Sequence, residues 1–418
     1  MTANTGMLAN LKILDLTNEM GLLCGKLLAD LGAEVIKLEK PGGDTTRNIG
    51  PYFNDETHSE KSLFWFAYNE GKKAITLDFT KPDGQQIFKQ LVNLADVVIE
   101  TNKPGYLDAL GLGYSELEKI NPKIIMVSIT PYGQKGLYSN YVATDINIWA
   151  MGGYMYPFGD EDRAPVRISH HSQSFLHAGA GAAAATTLAL YYREIKGNGQ
   201  HVDISIQECV ARIDMTHKWD MLGINLKRGE WLTKQQLKTR YIWPCKDGFI
   251  MWNYWIGPAA MLWGTAFSDW VIADGFADDF YKNIKWAELD GSTPEGLQMI
   301  EEVVSRATKP TVDFLMSHTK AELFEGAQKR NLMLYPLSDV KDINENRQLK
   351  ARDFWKSIEH PELGVGIVYP GAWAKCEESP IQILTRAPHV GEHNREIYVE
   401  SLGLTEDSFN RLKNEGTI

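Results

Sequence analysis

The sequence predicts an α/β protein: a Rossmann-like large domain with a parallel sheet, joined to a smaller α+β domain. Three observations carry that reading. Short β-branched runs alternate with amphipathic stretches through the first half, the pattern of strands linked by crossover helices. The chain has 418 residues, more than one ordinary core holds and about right for two domains. Composition then changes: eight of the twelve tryptophans fall between Trp219 and Trp286.

Taken in order, Lys12–Leu16 reads as the first strand and Gly21–Leu31 as a helix ending near Gly32. Val35–Leu38 and Ala74–Leu77 read as the next two strands. Asp83–Leu94 carries apolar residues at helical spacing, and Val97–Ile99 and Ile124–Val127 are further strands. Strands separated by helices pair in parallel with helices on both faces. The Ala- and Gly-rich stretch His177–Tyr192 reads as a buried helix packed closely against neighbours; its 16 residues fall short of the roughly 20 needed to span a membrane. His201–Ile206 closes the large-domain strands. Cys245–Trp252 reads as a hairpin turning at Lys246-Asp247-Gly248. Tyr335-Pro336 and Tyr369-Pro370-Gly371 read as turn-rich, and Glu406–Asn414 as a final helix. The expected division is 1–224 for the first part of the large domain, 225–325 for the small domain, and 326–418 returning to the large one.

Hydrophobic residues make up 44% and charged residues 23%, as in a soluble globular chain. The net charge of -11 gives a nucleic acid no electrostatic attraction. The cysteines, Cys24, Cys209, Cys245 and Cys376, lie far apart, with neither zinc spacing nor a disulfide framework, which points to a reducing cytoplasm. The N-terminus lacks a signal-peptide pattern, and nothing suggests a membrane partner. Common chemistry motifs fail. Gly21-Leu22-Leu23-Cys24-Gly25-Lys26 is one residue short of a P-loop, and Gly111-Leu112-Gly113 lacks the third glycine of a dinucleotide fingerprint. His170, His171 and His177 have no acidic or cysteine partners at metal spacing, so no metal site is expected.

A series of segments is more specific. It includes Leu14-Asp15-Leu16-Thr17, the run from Leu27 to Glu39, Pro41-Gly42-Gly43-Asp44, Ala95-Asp96-Val97 and Leu110-Gly111-Leu112-Gly113-Tyr114. Asn121-Pro122-Lys123, Tyr132-Gly133-Gln134, the run from Gly197 to Asp203 and the run from Ala387 to His393 complete it. In order and spacing, over nearly the whole chain, it resembles the CaiB/BaiF family, the family III CoA-transferases. The resemblance implies an interlocked-ring dimer with each active site between one chain's large domain and the other's small domain. It also implies an aspartate nucleophile that attacks the acyl-CoA thioester, suited to the task because it is already ionised at neutral pH.

That aspartate belongs just before the Ala-rich helix. Counting back from Gly197-Asn198-Gly199-Gln200 places it at Phe175, and counting forward from Pro165-Val166 places it at Ser174. Neither is a carboxylate, and the nearest acids in sequence are Asp162 and Glu194. The family's basic phosphate contacts are depleted too, with Thr80, Ala109 and Val142 at three of them and Lys40 surviving. What remains of a CoA site is expected at Lys40, Thr101 and Asn102. The related racemase activity needs a histidine where Thr144 precedes Asp145-Ile146-Asn147. The resemblance thus implies a non-catalytic subunit with no tightly bound cofactor. Its partner would be a homologous catalytic subunit, in a heterodimer or heterotetramer, that carries the aspartate and binds the CoA thioester. Among the heteromeric members, one moves CoA from succinyl-CoA to benzylsuccinate, so the resemblance points to an aryl-substituted dicarboxylate as acceptor and to aromatic degradation. Trp231, Tyr241, Trp243 and Trp252 are expected as an aromatic lid over the partner's site, with Lys227, Arg228 and Lys234 steering the substrate. Two other readings stand beside this: an active homodimer using Ser174 with His171 or His177, and a non-enzymatic binding homologue.

Overall fold

The computed structural model describes residues 6–156, 158–159, 163–167, 171–213, 241–382 and 385–418. The chain divides into two compact units, one built from residues up to 229 and from 351 onward, the other from 230 to 350.

The first unit is built on six parallel strands: β1 (Lys12–Leu16), β2 (Glu34–Glu39), β3 (Lys73–Thr76), β4 (Val97–Glu100), β5 (Ile125–Thr130) and β6 (His201–Ser205). Their spatial order is β3-β2-β1-β4-β5-β6. The connecting helices are α1 (Leu22–Asp30), α2 (Leu63–Asn69), α3 (Pro82–Leu94), α4 (Tyr106–Ala109), α5 (Tyr114–Ile120), α6 (Asp145–Met151) and α7 (Gln173–Lys196), and α8 (Ile206–Ile213) follows β6. Successive strand residues feed opposite cores, as the two-residue period requires. Ile13, Val35, Val97, Ile99, Ile125 and Val127 join α1, α6 and α7 on one face. Leu14, Ile36, Ile75, Val98 and Met126 join α3 and α5 on the other.

Helix α7 runs longer than the sequence suggested. Ala178, Gly179, Ala182 and Ala183 are buried, and a Cβ at Gly179 would lie 2.9 Å from Leu23 Cβ, so α1 and α7 pack almost backbone to backbone. The expectation of a buried helix is corrected at the C-terminal half of α7, where Leu188, Tyr191, Tyr192 and Ile195 are exposed.

The C-terminal segment returns to this unit. Thr76 N donates to Asn394 and His393 N to the Ala74 carbonyl, while Ile397, Tyr398, Leu412 and Ile418 enter the second core. The final helix spans Glu406–Asn414, as read from the sequence. The turn-rich reading of Tyr369-Pro370 is corrected: β10 (Trp355–His360) and β11 (Val365–Pro370) form an antiparallel hairpin that ends there.

In the second unit, β7 (Ile242–Cys245) and β8 (Gly248–Met251) form the expected hairpin. Tyr335–Pro336, also read as a turn, is a short strand pairing with β8, which keeps the chain past residue 325 inside this unit. The core is aromatic: Trp243, Trp252, Tyr254, Phe267, Trp270, Tyr281, Trp286 and Phe314.

Candidate active-site crevice of the first unit

Strand order reverses at β1, with β2 on one side and β4 on the other. In open parallel sheets ligands bind outside the carboxyl ends of the strands at such a switch point. Here that edge carries Thr17 and Asn18 after β1, and Thr101 and Asn102 after β4. They are tied across it: Asn18 N donates to Thr101 Oγ1 at 2.8 Å, while Asn102 N and Nδ2 donate to Glu100 Oε2 at 2.5 and 3.1 Å. Two of the three expected CoA residues thus sit at the switch point. Lys40, the third, is exposed just past β2.

Beneath the crevice lies a buried charge cluster. Asp15 pairs with Lys72 at 2.8 Å and lies 3.8 Å from Lys37, its neighbour on β2. Burial alone would raise the Asp15 carboxyl, but the two lysines overcome it and hold it below the usual range. Gly25 makes room for this carboxylate, since a Cβ there would lie 2.3 Å from Asp15 Oδ2.

The decisive geometry is at the start of α7. Ser174 is fully buried; its backbone N and its Oγ both donate to Asp145 Oδ1, at 2.8 and 2.7 Å. Arg167 approaches Asp145 Oδ2 at 3.3 Å. Phe175 is buried in the core that also holds Ile148, Trp149 and Ala178. Of the two positions counted from the sequence, one therefore holds a hydroxyl whose proton is directed at a carboxylate, and the other an apolar ring in an apolar core.

Sequence counting missed Asp145, because it is far off in the chain and arrives through tertiary packing. The signal was present in the Asp145-Ile146-Asn147 segment, which the sequence reading used only to weigh the racemase. Thr144 and Asn147 form the capping box of α6, which fixes Asp145 at the first turn of that helix. Glu19, beyond the end of β1, adds a second carboxylate; burial first, and then Asp145, push it upward. His177 packs edge-on against Trp149 and is pushed downward by burial. The Ser174 hydroxyl thus turns to Asp145 and not to a histidine base.

Three of the basic positions expected to grip phosphate, here Thr80, Ala109 and Val142, carry no charge. Ala109 ends α4, Val142 is exposed, and Lys81 is tied to the carbonyls of Glu415 and Gly416. Among the described residues no group of three metal-ligating side chains converges, and no helix is long and apolar enough to cross a membrane.

The aromatic lid is corrected. Trp243 and Trp252 are 1% and 0% exposed, and the Trp243 indole donates to the Trp252 carbonyl at 2.8 Å. Large rings bury where they gain most packing, so these two hold the second unit together and present nothing to a partner. Tyr241 is exposed, whereas Trp231, Lys227, Arg228 and Lys234 lie outside the described residues.

The sequence profile described as CoA-transferase family III matches residues 8–394. The chain is 34% identical over 93% of its length, and 93% of the relative's, to a Thauera aromatica protein named succinyl-CoA:(R)-benzylsuccinate CoA-transferase subunit BbsE. It is 28% identical, over 100% of its length and 99% of the relative's, to the Succinyl-CoA--L-malate CoA-transferase beta subunit of Chloroflexus aurantiacus. A solved CAIB/BAIF family protein from Brucella suis superposes with a TM-score of 0.79 at 27% identity, covering 95% of this chain and 100% of that one.

Proposed function

The chain belongs to CoA-transferase family III, and we propose that it is the aspartate-lacking subunit of a heteromeric CoA-transferase. Members of this family are enzymes that transfer CoA between an acyl-CoA and a carboxylic acid. The observation that carries the proposal is at the two positions counted for the nucleophile: Phe175 supplies a buried ring and Ser174 a hydroxyl. A carboxylate nucleophile must be ionised and must reach the thioester carbonyl, and an aromatic side chain does neither. Ser174 does not take over, because its hydroxyl is committed to Asp145.

The same reading gives the thioester to a homologous partner that carries the aspartate. It is supported by two relatives that are themselves named as subunits and that align over nearly their whole length. We place the assembly in the cytoplasm, as two interlocked chains forming a heterodimer or a pair of heterodimers. For the substrates we propose succinyl-CoA as donor and an aryl-substituted dicarboxylate of the benzylsuccinate kind as acceptor, on the strength of the 34% identical relative.

The test is transfer by the purified chain alone, by the chain co-expressed with its aspartate-bearing homologue, and by that complex carrying Ser174→Ala. The chain alone should be inactive, the complex active, and the variant complex equal to the unaltered one. Turnover by the chain free of any partner, lost in Ser174→Ala, would establish the serine-dependent homodimer instead.

A further inference from the structure

Helix α7 presents two faces of different kinds. Inward, Ala178, Ala182, Ala189 and Leu190 join the first core. Outward, Ala180, Ala184, Thr187, Leu188, Tyr191 and Ile195 recur at helical spacing and are all exposed, so they form one stripe. The stripe carries no charge along about 22 Å of helix. Leu188, Tyr191 and Ile195 stand 68%, 67% and 59% exposed. The Thr187 hydroxyl donates to the Ala183 carbonyl at 2.9 Å, so the middle of the stripe asks no partner for a hydrogen bond. Glu194 and Lys196 flank its C-terminal end, as a polar rim does.

The stripe is graded, with small Ala180 and Ala184 at one end and large Tyr191 and Ile195 at the other. A second helix of the same sequence fits such a face in one direction. Parallel to it, alanine meets alanine and tyrosine meets tyrosine, which leaves a gap at one end and crowding at the other. Antiparallel about a two-fold axis beside Thr187 and Leu188, Ala180 faces Ile195 of the second copy. Ala184 then faces its Tyr191, and Thr187 its Leu188. Large meets small at each level, and the same patch serves both copies, as a two-fold contact requires. With Tyr192 at its margin the stripe offers roughly 500 Å² of surface, among the largest apolar patches a monomer leaves open. Two copies bury roughly 1,000 Å² together, the size at which a specific interface begins.

We propose that the outer face of α7 docks a second copy of this chain, helix against antiparallel helix, with Thr187 and Leu188 at the centre. The pairing rests on the heteromeric reading only for its place in the assembly. With each copy holding its aspartate-bearing homologue, the α7 pair joins two heterodimers into a heterotetramer. The face is separate from the crevice. Ser174 meets Asp145 at the start of α7, about 20 Å along the helix from the middle of the stripe. Changes on the stripe therefore leave the Ser174 contacts in place.

The experiment is sedimentation of the purified full chain, joined to cross-linking with a short thiol-specific linker. The unaltered chain should dimerise. Leu188→Glu with Tyr191→Glu should weaken the dimer about 100-fold or more, because two carboxylates would enter an apolar contact. Its melting temperature should not change, since both side chains are exposed in the single chain. Thr187→Cys should cross-link to its copy and Ala180→Cys should not, with the unaltered chain as the blank for its own cysteines. A chain that stays monomeric, or a dimer that withstands the two glutamates, overturns the pairing. Cross-linking of Ala180→Cys as strong as that of Thr187→Cys overturns the antiparallel register. In the co-expressed complex the two glutamates should reduce a heterotetramer to heterodimers. A heterotetramer that survives them sinks the α7 contact and leaves the heteromer standing, whereas an α7 dimer that takes up no homologue sinks the heteromer alone.

Discussion

Arg47 and Phe175 are buried to nearly the same degree, 1% and 3% exposed, yet their surroundings treat charge in opposite ways. Around Arg47 every charge is answered. The guanidinium bonds Glu39 through two nitrogens at 2.7 Å each, Glu60 at 2.8 Å and the Pro388 carbonyl at 3.0 Å. It also lies 3.8 Å over the Trp65 ring. Around Phe175, one of the two positions where the family resemblance implies an aspartate, the packing is apolar. The difference separates two uses of a buried charge. The Arg47 cluster ties the segment after β2 to the C-terminal segment near Pro388, so losing it would cost the fold. A nucleophile costs the fold something to keep ionised and contributes only chemistry, so it can be replaced once another chain supplies that chemistry.

The comparison breaks first at Phe175. Phe175→Asp should destabilise the chain by about 5 kcal/mol, a lost buried ring at roughly 3–5 plus an unpaired carboxylate in an apolar core. Chemical denaturation of the chain would show it, and CoA transfer by the chain alone should still be absent. A stable, active variant would mean that the pocket has kept its catalytic shape. Arg47→Met comes next, at about 3–5 kcal/mol, because it strands Glu39 in the interior. A loss under 1 kcal/mol in the same denaturation assay would show that the cluster is not what holds the two segments together.

The smallest effect sits at Glu70, which lies between the two cases. One carboxylate oxygen meets Lys26 at 3.0 Å and the other has no hydrogen-bond partner. Burial, only partly offset by Lys26, pushes its pKa up to about 7. Because the folded value is raised above the ordinary 4.5, the folded chain binds the proton more tightly than the unfolded one. Stability attributable to Glu70 is therefore greatest below pH 4.5 and falls as pH rises to about 7. Glu70→Gln should raise stability by roughly 1–3 kcal/mol at pH 8 and by much less at pH 5, read from paired melting curves. Equal effects at both values would show that Glu70 does not titrate in this window.

Much of this was legible in the chain itself. Strand β1 and the final helix have the limits their patterning suggested, because alternation and helical spacing are local signals. Thr101 and Asn102, which the family resemblance singled out, follow the carboxyl end of β4. Others were not. Tyr335–Pro336 looks like a turn, since a two-residue strand carries no period and exists only because β8 lies beside it. Trp243 and Trp252 looked like a lid, since composition reports large rings but not which way they face.

The sequence by itself determined the parallel α/β half, the aromatic second unit and the absence of a carboxylate at 174 and 175, because each is written in neighbouring residues. Tertiary structure alone decided that Asp145 meets Ser174 and that Asn18 meets Thr101 at the switch point. Both depend on crossovers that bring together residues 29 or more positions apart, where local chemistry sets no distance.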